Sequence, residues 1–537
     1  MESRQTSSNK KLIFLILPGQ KYVNYYGQTE LSKMLGKKKF MLPLSMPMIA
    51  AITPDCYDVR IIDEELEKLP TKQLPDLVAI SALATTATRA YAIGDYYRLL
   101  GIKVIIGGPY VSFMTDEARY HADSLVIGEA ENLWPECLHD FENNELKPIY
   151  ETTDYCDFKH TKPARWDLVN MKEVFQVGMQ ISRGCPYKCE FCLVTKLFGN
   201  KMRYREITNV VEEIKTLPVN KILFVDDNLT ANKRYAHELM QAFKPLRISW
   251  GCMASIELAK DHDLLKAMND AGCFNILVGF ESLNAGSLNE THKKQNRDAV
   301  IYEEAIRTIH SHGIHITASF VIGFDNDTPE EFNRLYEFTQ RNGLCFINFN
   351  ILGAPHGTEL YNRLRTEGRV YENNPDMMGG LFPCIHYNKM GQIELFNMYL
   401  NTLARMYSFK SILQKARILF GNEHFTKPYN DGSPGLKFIL RTLWKLLKEY
   451  LFIGSPSKRK LFNYIIKLIW QKKLATDMGL SFLLSMISYN RHIAQLNRDS
   501  EMYRTLIRQY DIGPWEKLPE QMKRELAEKN FSGVRQN

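Results

Sequence analysis

Short apolar runs recur through the first 150 residues at intervals that suit strands alternating with helices. KLIFLIL (11–17), DVRIID (58–63), LVAIS (77–81) and KVIIGG (103–108) are nearly continuous in Ile, Val and Leu, and each closes on turn residues. ADSLVIGEAE (122–131) adds a further strand. Continuous rather than alternating runs predict strands buried on both faces, and so a parallel sheet with helices on either side. Between about 175 and 355 the units lengthen. VGMQIS, KILFVDD, ISWGCMAS, NILVGF, IHITASFVIG and CFINFNI each precede or follow a helical pattern. Six strand–helix units in a row predict a barrel or an incomplete barrel, with chemistry at the carboxyl ends of its strands. From 376 onward the periodicity is helical, and the stretch 436–473 interleaves Trp, Leu, Ile and Phe with Lys and Arg.

The expected organisation is therefore α/β, in three parts. Residues 1–150 form a Rossmann-like domain, 151–375 a partial (β/α)6 barrel and 376–537 a helical domain. A chain of 537 residues exceeds what one core supports. The carboxyl-end edge of the first sheet, where ligands of such sheets bind, carries Asp63, Glu64, Ser81, Leu83, Gly107, Gly108, Pro109, Gly128, Glu129 and Glu131.

Composition narrows the field only a little. A formal net charge of +7 is mild for this length and calls for no nucleic-acid partner. The amino terminus has a short apolar run without a signal-cleavage pattern, and no stretch reaches the roughly 18 apolar residues of a membrane span. A cytoplasmic, reducing address is expected. Ten cysteines are too few for a disulfide scaffold, and clustered ones in that compartment serve metals or catalysis more often than disulfides.

Three of the ten stand together in ISRGCPYKCEFCLV, at Cys185, Cys189 and Cys192, directly after the first barrel strand. Gly184 and Pro186 favour an irregular loop in which three sulfurs can converge. Three thiolates can hold three corners of a cubane iron–sulfur cluster and leave its fourth iron to a small molecule. A zinc site wants four ligands, and no partner motif lies near. Buried thiols acting as small hydrophobes are the alternative, which suits Cys252, Cys273 and Cys345 better.

Cys185-x-x-x-Cys189-x-Phe191-Cys192 resembles the signature of the radical S-adenosylmethionine (SAM) enzymes. The resemblance implies that the three cysteines bind a [4Fe–4S] cluster whose open iron chelates SAM. Reductive cleavage then yields a 5′-deoxyadenosyl radical, with a flavodoxin or ferredoxin as the implied electron donor. It also implies that Phe191 packs near the adenine. Asp226, Asp227 and Asn228 at the second strand end, Gly279, Phe280, Glu281 and Ser282 at the fourth, and Gly323 at the fifth stand where relatives hold the methionine and ribose groups. Helix capping is the alternative for the Asp and Asn positions. Relatives often carry Gly-Gly-Glu after the second strand, where this chain has Val-Asp-Asp-Asn-Leu.

The first segment resembles the cobalamin-binding fold of methionine synthase and its radical relatives. Ser81-Ala82-Leu83 and Gly107-Gly108, separated by residues 84–106, match the two motifs that line the slot for the nucleotide tail in that fold. Methionine synthase also carries Asp-x-His-x-x-Gly, whose histidine coordinates cobalt, whereas residues 11–75 here contain no histidine. The expectation is cobalamin with its tail detached and no histidine on cobalt. A domain of this fold that binds nothing is the alternative.

Together these resemblances imply that a substrate radical receives a methyl group from methylcobalamin. The substrate is expected between the two sets of strand ends, near Tyr110 and Met114 on one side and Pro355, His356 and Gly357 on the other, though a lone histidine is often structural. FVDDNLTANKR, LVGFESL, FVIGFDNDTPEEF and the run from Ala354 to Leu364 are similar to the hopanoid-methylase subgroup, which implies an apolar or lipid substrate. Residues 436–475 then read either as a membrane-surface face or as a helical cap with a solvated lysine side. A tRNA methylthiotransferase needs a second cysteine trio, and Cys56, Cys137 and Cys156 are too dispersed. Cyclisation or oxidation with the same cofactors, as in the anaerobic porphyrin cyclases, stays open at this point. A non-catalytic cobalamin sensor sits poorly with an intact cysteine triad.

Overall fold

The computed structural model describes residues 10–22, 28–290, 293, 296, 300–371, 375–421, 424–425 and 436–532. Its strands, in chain order, are β1 (Lys11–Leu17), β2 (Lys39–Leu42), β3 (Tyr57–Asp63), β4 (Leu77–Ser81), β5 (Lys103–Gly107), β6 (Ser124–Ile127), β7 (Ile149–Glu151) and β8 (Val174–Met179). There follow β9 (Ser182–Arg183), β10 (Arg203–Tyr204), β11 (Lys221–Phe224), β12 (Ser249–Ala254), β13 (Cys273–Glu281), β14 (His315–Ile322) and β15 (Phe346–Ile351). The chain divides into two compact units, one holding β1 and β3–β7, the other holding β2, β8–β15 and all of the later helices.

In the first unit the order is β3-β1-β4-β5-β6-β7, and every pairing is parallel. The alternation of side chains along each strand sorts the apolar runs into two cores. Phe14, Ile16, Val78, Ile80, Val104 and Ile106 pack on one face with the helix Ala87–Leu99. Ile13, Leu15, Leu77, Ala79, Ile105 and Val126 pack on the other with the helices Ser45–Ile52 and Ala130–Glu142. The winding reverses between β1 and β4, and the crevice at the carboxyl ends beside such a reversal is where doubly wound sheets bind ligands.

The second unit winds in one direction only. Its sheet runs β15-β14-β13-β12-β11-β8-β2, with each strand from β8 to β15 laid beside its predecessor in the sheet and every pair parallel. This is the wall of a partial barrel, and all six expected barrel strands are in it. β2 is a seventh member, contributed by residues that the sequence reading left inside the first segment. KFML is too short to announce itself after two lysines. The open edge at β15 is sealed by helices. Tyr407 Oη accepts the Ile347 N–H and donates to the Ile347 carbonyl, both at 3.0 Å, and Tyr399 Oη donates to the Phe349 carbonyl at 2.9 Å. Both tyrosines come from the helical region, the second from Gln392–Met406, so an edge that would otherwise invite pairing is satisfied within the unit.

The two motifs of the first unit touch. Ala82 N–H donates to the Gly107 carbonyl at 2.8 Å, and Tyr110 N–H donates to the Ala82 carbonyl. Gly108 has φ +107°, and a Cβ there would stand 2.7 Å from the Ala82 oxygen. Both the backbone conformation and the space demand glycine. Gly108→Ala is expected to destabilise the unit by about 1–3 kcal/mol, read as a lower melting transition, whereas Gly101→Ala, with nothing within 4 Å of its Cβ but φ +78°, shows the strain term alone.

Candidate active site

The cysteine loop hangs from the end of β8 and is clasped at its base. β9 pairs antiparallel with β10 (Arg183 with Arg203, Ser182 with Tyr204), which closes residues 184–202 into a loop. Gly184 turns the chain with φ +95°, and a Cβ there would lie 2.7 Å from the Lys201 oxygen. Asp226, fully buried, reaches across from the end of β11. One carboxylate oxygen accepts the N–H groups of Ile181 and Ser182 and the Ser182 hydroxyl. Asp226 is therefore neither a helix cap nor an exposed ligand but the tie that sets where the loop begins. On the far side Glu190 pairs with Arg363 at 2.7 Å, and its carbonyl takes the Leu360 N–H. Arg363 and Arg369 both hold Asp325, so the loop is also braced by the helix Glu359–Thr366.

Within this frame Cys185, Cys189 and Cys192 are free thiols in partial burial. Burial pushes Cys189 up to about 12 and Cys192 up to about 11, while the Lys293 ammonium pulls Cys189 the other way. As isolated thiols they keep their protons, and a metal centre is what turns such a trio into thiolates. Among the described residues, the ligand-type trio drawn within 4.8 Å of one another is Glu129, Glu131 and Cys156, not this one.

Asp227 and Glu281 lie within electrostatic reach of the cysteines, as expected. Burial raises the Asp227 carboxyl to about 6, against the Gly184 N–H that it accepts. Glu281 is nearly buried at a bulge in β13, with φ +65°. A side chain held in the left-handed region is costly, and its partner explains it: the carboxylate meets Lys293 Nζ at 2.6 Å, and Lys293 also donates to the Gly279 carbonyl. A Cβ at Gly279 would run into Glu281 Oε1 and Lys293 Nζ, so a larger residue there would shift the pair. Lys293 had no signature in the sequence, being one of two adjacent lysines about a dozen residues past Glu281. Ser282 is buried, and its oxygen accepts the Asn284 N–H. Phe191 packs edge-on to Phe324, with centroids 6.3 Å apart. The loop carrying Gly323 and Phe324 is fastened by Asp327, which accepts both of their N–H groups and the Ser287 hydroxyl. His356 packs at a tilt against Tyr361, with ring centroids 4.6 Å apart, and burial depresses it to about 4.

In the first unit Ser81 and Gly107 end β4 and β5, and Leu83 is 44% exposed at that edge. Tyr110 is buried in the core of this unit, and Met114 packs against that core.

The sequence from 179 to 339 matches the family model of the Radical SAM superfamily, a span that includes the cysteine loop, Asp227, Glu281 and Lys293. Residues 179–339 of this chain are a radical SAM domain. The chain is similar to bacteriochlorophyllide d C-12(1)-methyltransferase of Chlorobaculum tepidum, 26% identical over 74% of this chain and 89% of the relative. It is likewise similar to the hopanoid C-2 methylase of Rhodopseudomonas palustris, 27% identical over 77% of this chain and 80% of the relative. Among solved structures, the cobalamin-dependent SAM radical enzyme OxsB has the same fold, with a TM-score of 0.55 and 14% identity over 98% of this chain and 84% of that one.

Asp327 gives the radical SAM unit a measurable pH signature. Burial raises its carboxyl from 3.8 to about 7, so the native state holds a proton that the unfolded chain releases. This contribution is full below about pH 4 and is lost as pH rises to 7. Asp327→Asn can still accept both backbone N–H groups and can donate to Ser287. The variant is expected to lose about 2 kcal/mol less stability than the parent between pH 5 and pH 8, measured by urea unfolding at each pH.

Proposed function

We propose that this radical SAM enzyme is a cobalamin-dependent methyltransferase that acts on an unactivated carbon of an apolar substrate. What carries the reading is a conjunction within one chain. A cysteine loop at the carboxyl edge of a singly wound sheet accompanies a doubly wound unit whose Ser81–Leu83 turn is bonded to Gly107–Gly108. The similarity to two methyltransferases of apolar, polycyclic compounds over about three quarters of the chain supports it.

In this reading Cys185, Cys189 and Cys192 hold a [4Fe–4S] cluster. Phe191, Asp227, Glu281 and Ser282 contact SAM, and Lys293 offers an ammonium to its carboxylate. Ser81, Leu83, Gly107 and Gly108 line the slot for the cobalamin tail. Two of the three histidines described in the first unit, His121 and His139, lie away from the Ser81–Gly108 edge. His121 precedes β6, at the opposite edge of the sheet, and pairs with Asp95, while His139 lies in the last turn of Ala130–Glu142. When bound, the cluster supplies an electron to the sulfonium of SAM, and cobalamin carries the methyl group that ends on the substrate. The protein fixes the cysteine loop through Asp226, holds the Glu281–Lys293 pair in place and presents Phe191 from a braced loop. A flavodoxin or ferredoxin provides the electron.

Product analysis separates methylation from its rivals. Turnover is expected to yield S-adenosylhomocysteine and 5′-deoxyadenosine together, and Cys189→Ala to reduce both to background along with bound iron. Deoxyadenosine without homocysteine would establish cyclisation or oxidation instead.

Membrane contact belongs to the same reading. No described helix is long and apolar enough to cross a membrane. Yet Trp444, Phe452 and Trp470 are 65%, 75% and 83% exposed, among the exposed cations Lys448, Arg459, Lys460 and Lys467. Leu440, also exposed, sits one turn before Trp444 and on the same helix face. Large exposed apolar groups beside cations suit an anionic lipid surface. Sedimentation with anionic vesicles at low salt is expected, and Trp444→Ser with Trp470→Ser should weaken it several-fold. Equal recovery in the supernatant with and without vesicles would end the membrane assignment.

A further inference from the structure

The inner face of the barrel wall turns polar on the two strands farthest from β8. From Ile316 to Ile322 in β14, and from Phe346 to Ile351 in β15, buried and half-buried residues alternate. The half-buried set points into the barrel, since two of its members, Thr317 and Phe346, line the space that the sheet encloses. By the two-residue period of a strand, Ser319, Val321, Asn348 and Asn350 share that face and stand nearer the carboxyl ends. Register fixes their height. Gly279 of β13 pairs with Ser319, and Ser319 pairs with Asn348. The row is therefore level with the glycine over which Glu281 and Lys293 meet, and Asn348 lies about 10 Å across the sheet from it at the usual strand spacing.

Both strands run on to the cysteine loop. Phe324, just past β14, packs against Phe191, and Leu360, in the helix after β15, donates its N–H to the Glu190 carbonyl. The polar row thus borders the candidate active site. Gly380 keeps one flank of it open, since a Cβ there would lie 2.9 Å from Asn350 Oδ1. Among the described residues, neither amide has a side-chain hydrogen-bond partner, and nor does Ser319 Oγ. Asparagine is depleted in strands, so two at alternate positions of one inner face, both unmet, point to an occupant that hydrogen-bonds. An amide offers N–H donors and a carbonyl acceptor together. The other members of the face here are Thr317, Val321 and Phe346, so β14 and β15 set no counter-charge beside the amides, and a charged occupant would lose its hydration uncompensated.

We propose that Ser319, Asn348 and Asn350 recognise a neutral substrate group that carries both a hydrogen-bond donor and an acceptor, as a carboxamide or an alcohol does. This rests on the reading of the adjoining strand ends as the place of the chemistry, and it adds that the otherwise apolar substrate carries such a group.

The probe is 4-fluorobenzamide, with fluorobenzene and 4-fluorobenzoate as controls, followed by fluorine NMR on the full chain after anaerobic reconstitution with iron and sulfide and addition of SAM. The amide is expected to bind about tenfold more tightly than either control. Asn348→Leu with Asn350→Leu should remove that preference, with melting curves confirming the fold. Asn348→Asp with Asn350→Asp keeps the size of both side chains and should turn the preference to 4-fluorobenzamidine, which decides the matter should the leucine variant fail to fold. Equal binding of the three probes by the parent, or a preference for the benzoate, would overturn the proposal. So would a loss of SAM affinity of about tenfold in the folded leucine variant, which would give the polar row to SAM. The radical reading fails separately, through absence of iron and SAM binding in the parent, and the fragment preference is then measured on that same protein.

Discussion

One buried carboxylate sets the position of the chemistry. Asp226 sits at the end of β11 with no exposed surface, and its oxygen takes two consecutive backbone N–H groups and a hydroxyl where β8 gives way to the cysteine loop. Without that tie the first residues of the loop would carry unmet amides in the interior, a cost that folding avoids. The same device recurs along the carboxyl edge. Asp327 takes the amides of Gly323 and Phe324, and Glu290 takes those of Asp325 and Asn326. Asp226 and Glu290 reach these loops from neighbouring elements, whereas Asp327 folds its own loop back on itself. Burial opposes ionisation at all three: Asp226 and Asp327 rise to about 7, and Glu290 rises also. The edge is thus held rigid at some cost to stability near neutral pH.

The two sheets share a composition and differ in winding, and winding is what separates their roles. In the first, the reversal between β1 and β4 leaves a crevice at the sheet edge, open to a large flat ligand. In the second, steady progression from β8 to β15 curls the carboxyl ends toward one point, where residues from β8, β11 and β13 can meet. Cysteines 185–192, Asp227 and Glu281 are far apart in sequence and close together only because of this progression.

The strands were legible because runs of Ile, Val and Leu have few other uses, and every long run became one. β2 and β7 escaped notice, at four and three residues, because their pairing depends on partners supplied by tertiary structure. The cysteine trio was legible through its spacing and its place after a strand. The residues that support it were not. Lys293 pairs with a residue 12 positions back and Arg363 with one 173 positions back, and neither separation leaves a periodic mark in the sequence. Asp226 was visible but misread, since capping and ligation are both more common fates for Asp after a strand than holding a neighbouring loop. Tyr110 followed a Gly-Gly-Pro turn at a binding edge, which suggested exposure, yet the backbone bond from its N–H to Ala82 directs the following turn back into the core.

An incomplete barrel must satisfy its open edge, and here tyrosine hydroxyls from the helical region do so at Ile347 and Phe349. The same region supplies the helix Thr476–Arg498, which covers the barrel at its amino-terminal end. Closure by helices rather than by an eighth strand leaves the interior less completely filled than the stacked side-chain layers of a full barrel. On the carboxyl side of the same sheet, a side chain at Gly279 would run into Glu281 and Lys293. The bulged strand β13 gives up a side chain there, and that omission makes room for the charge pair beside the cysteines.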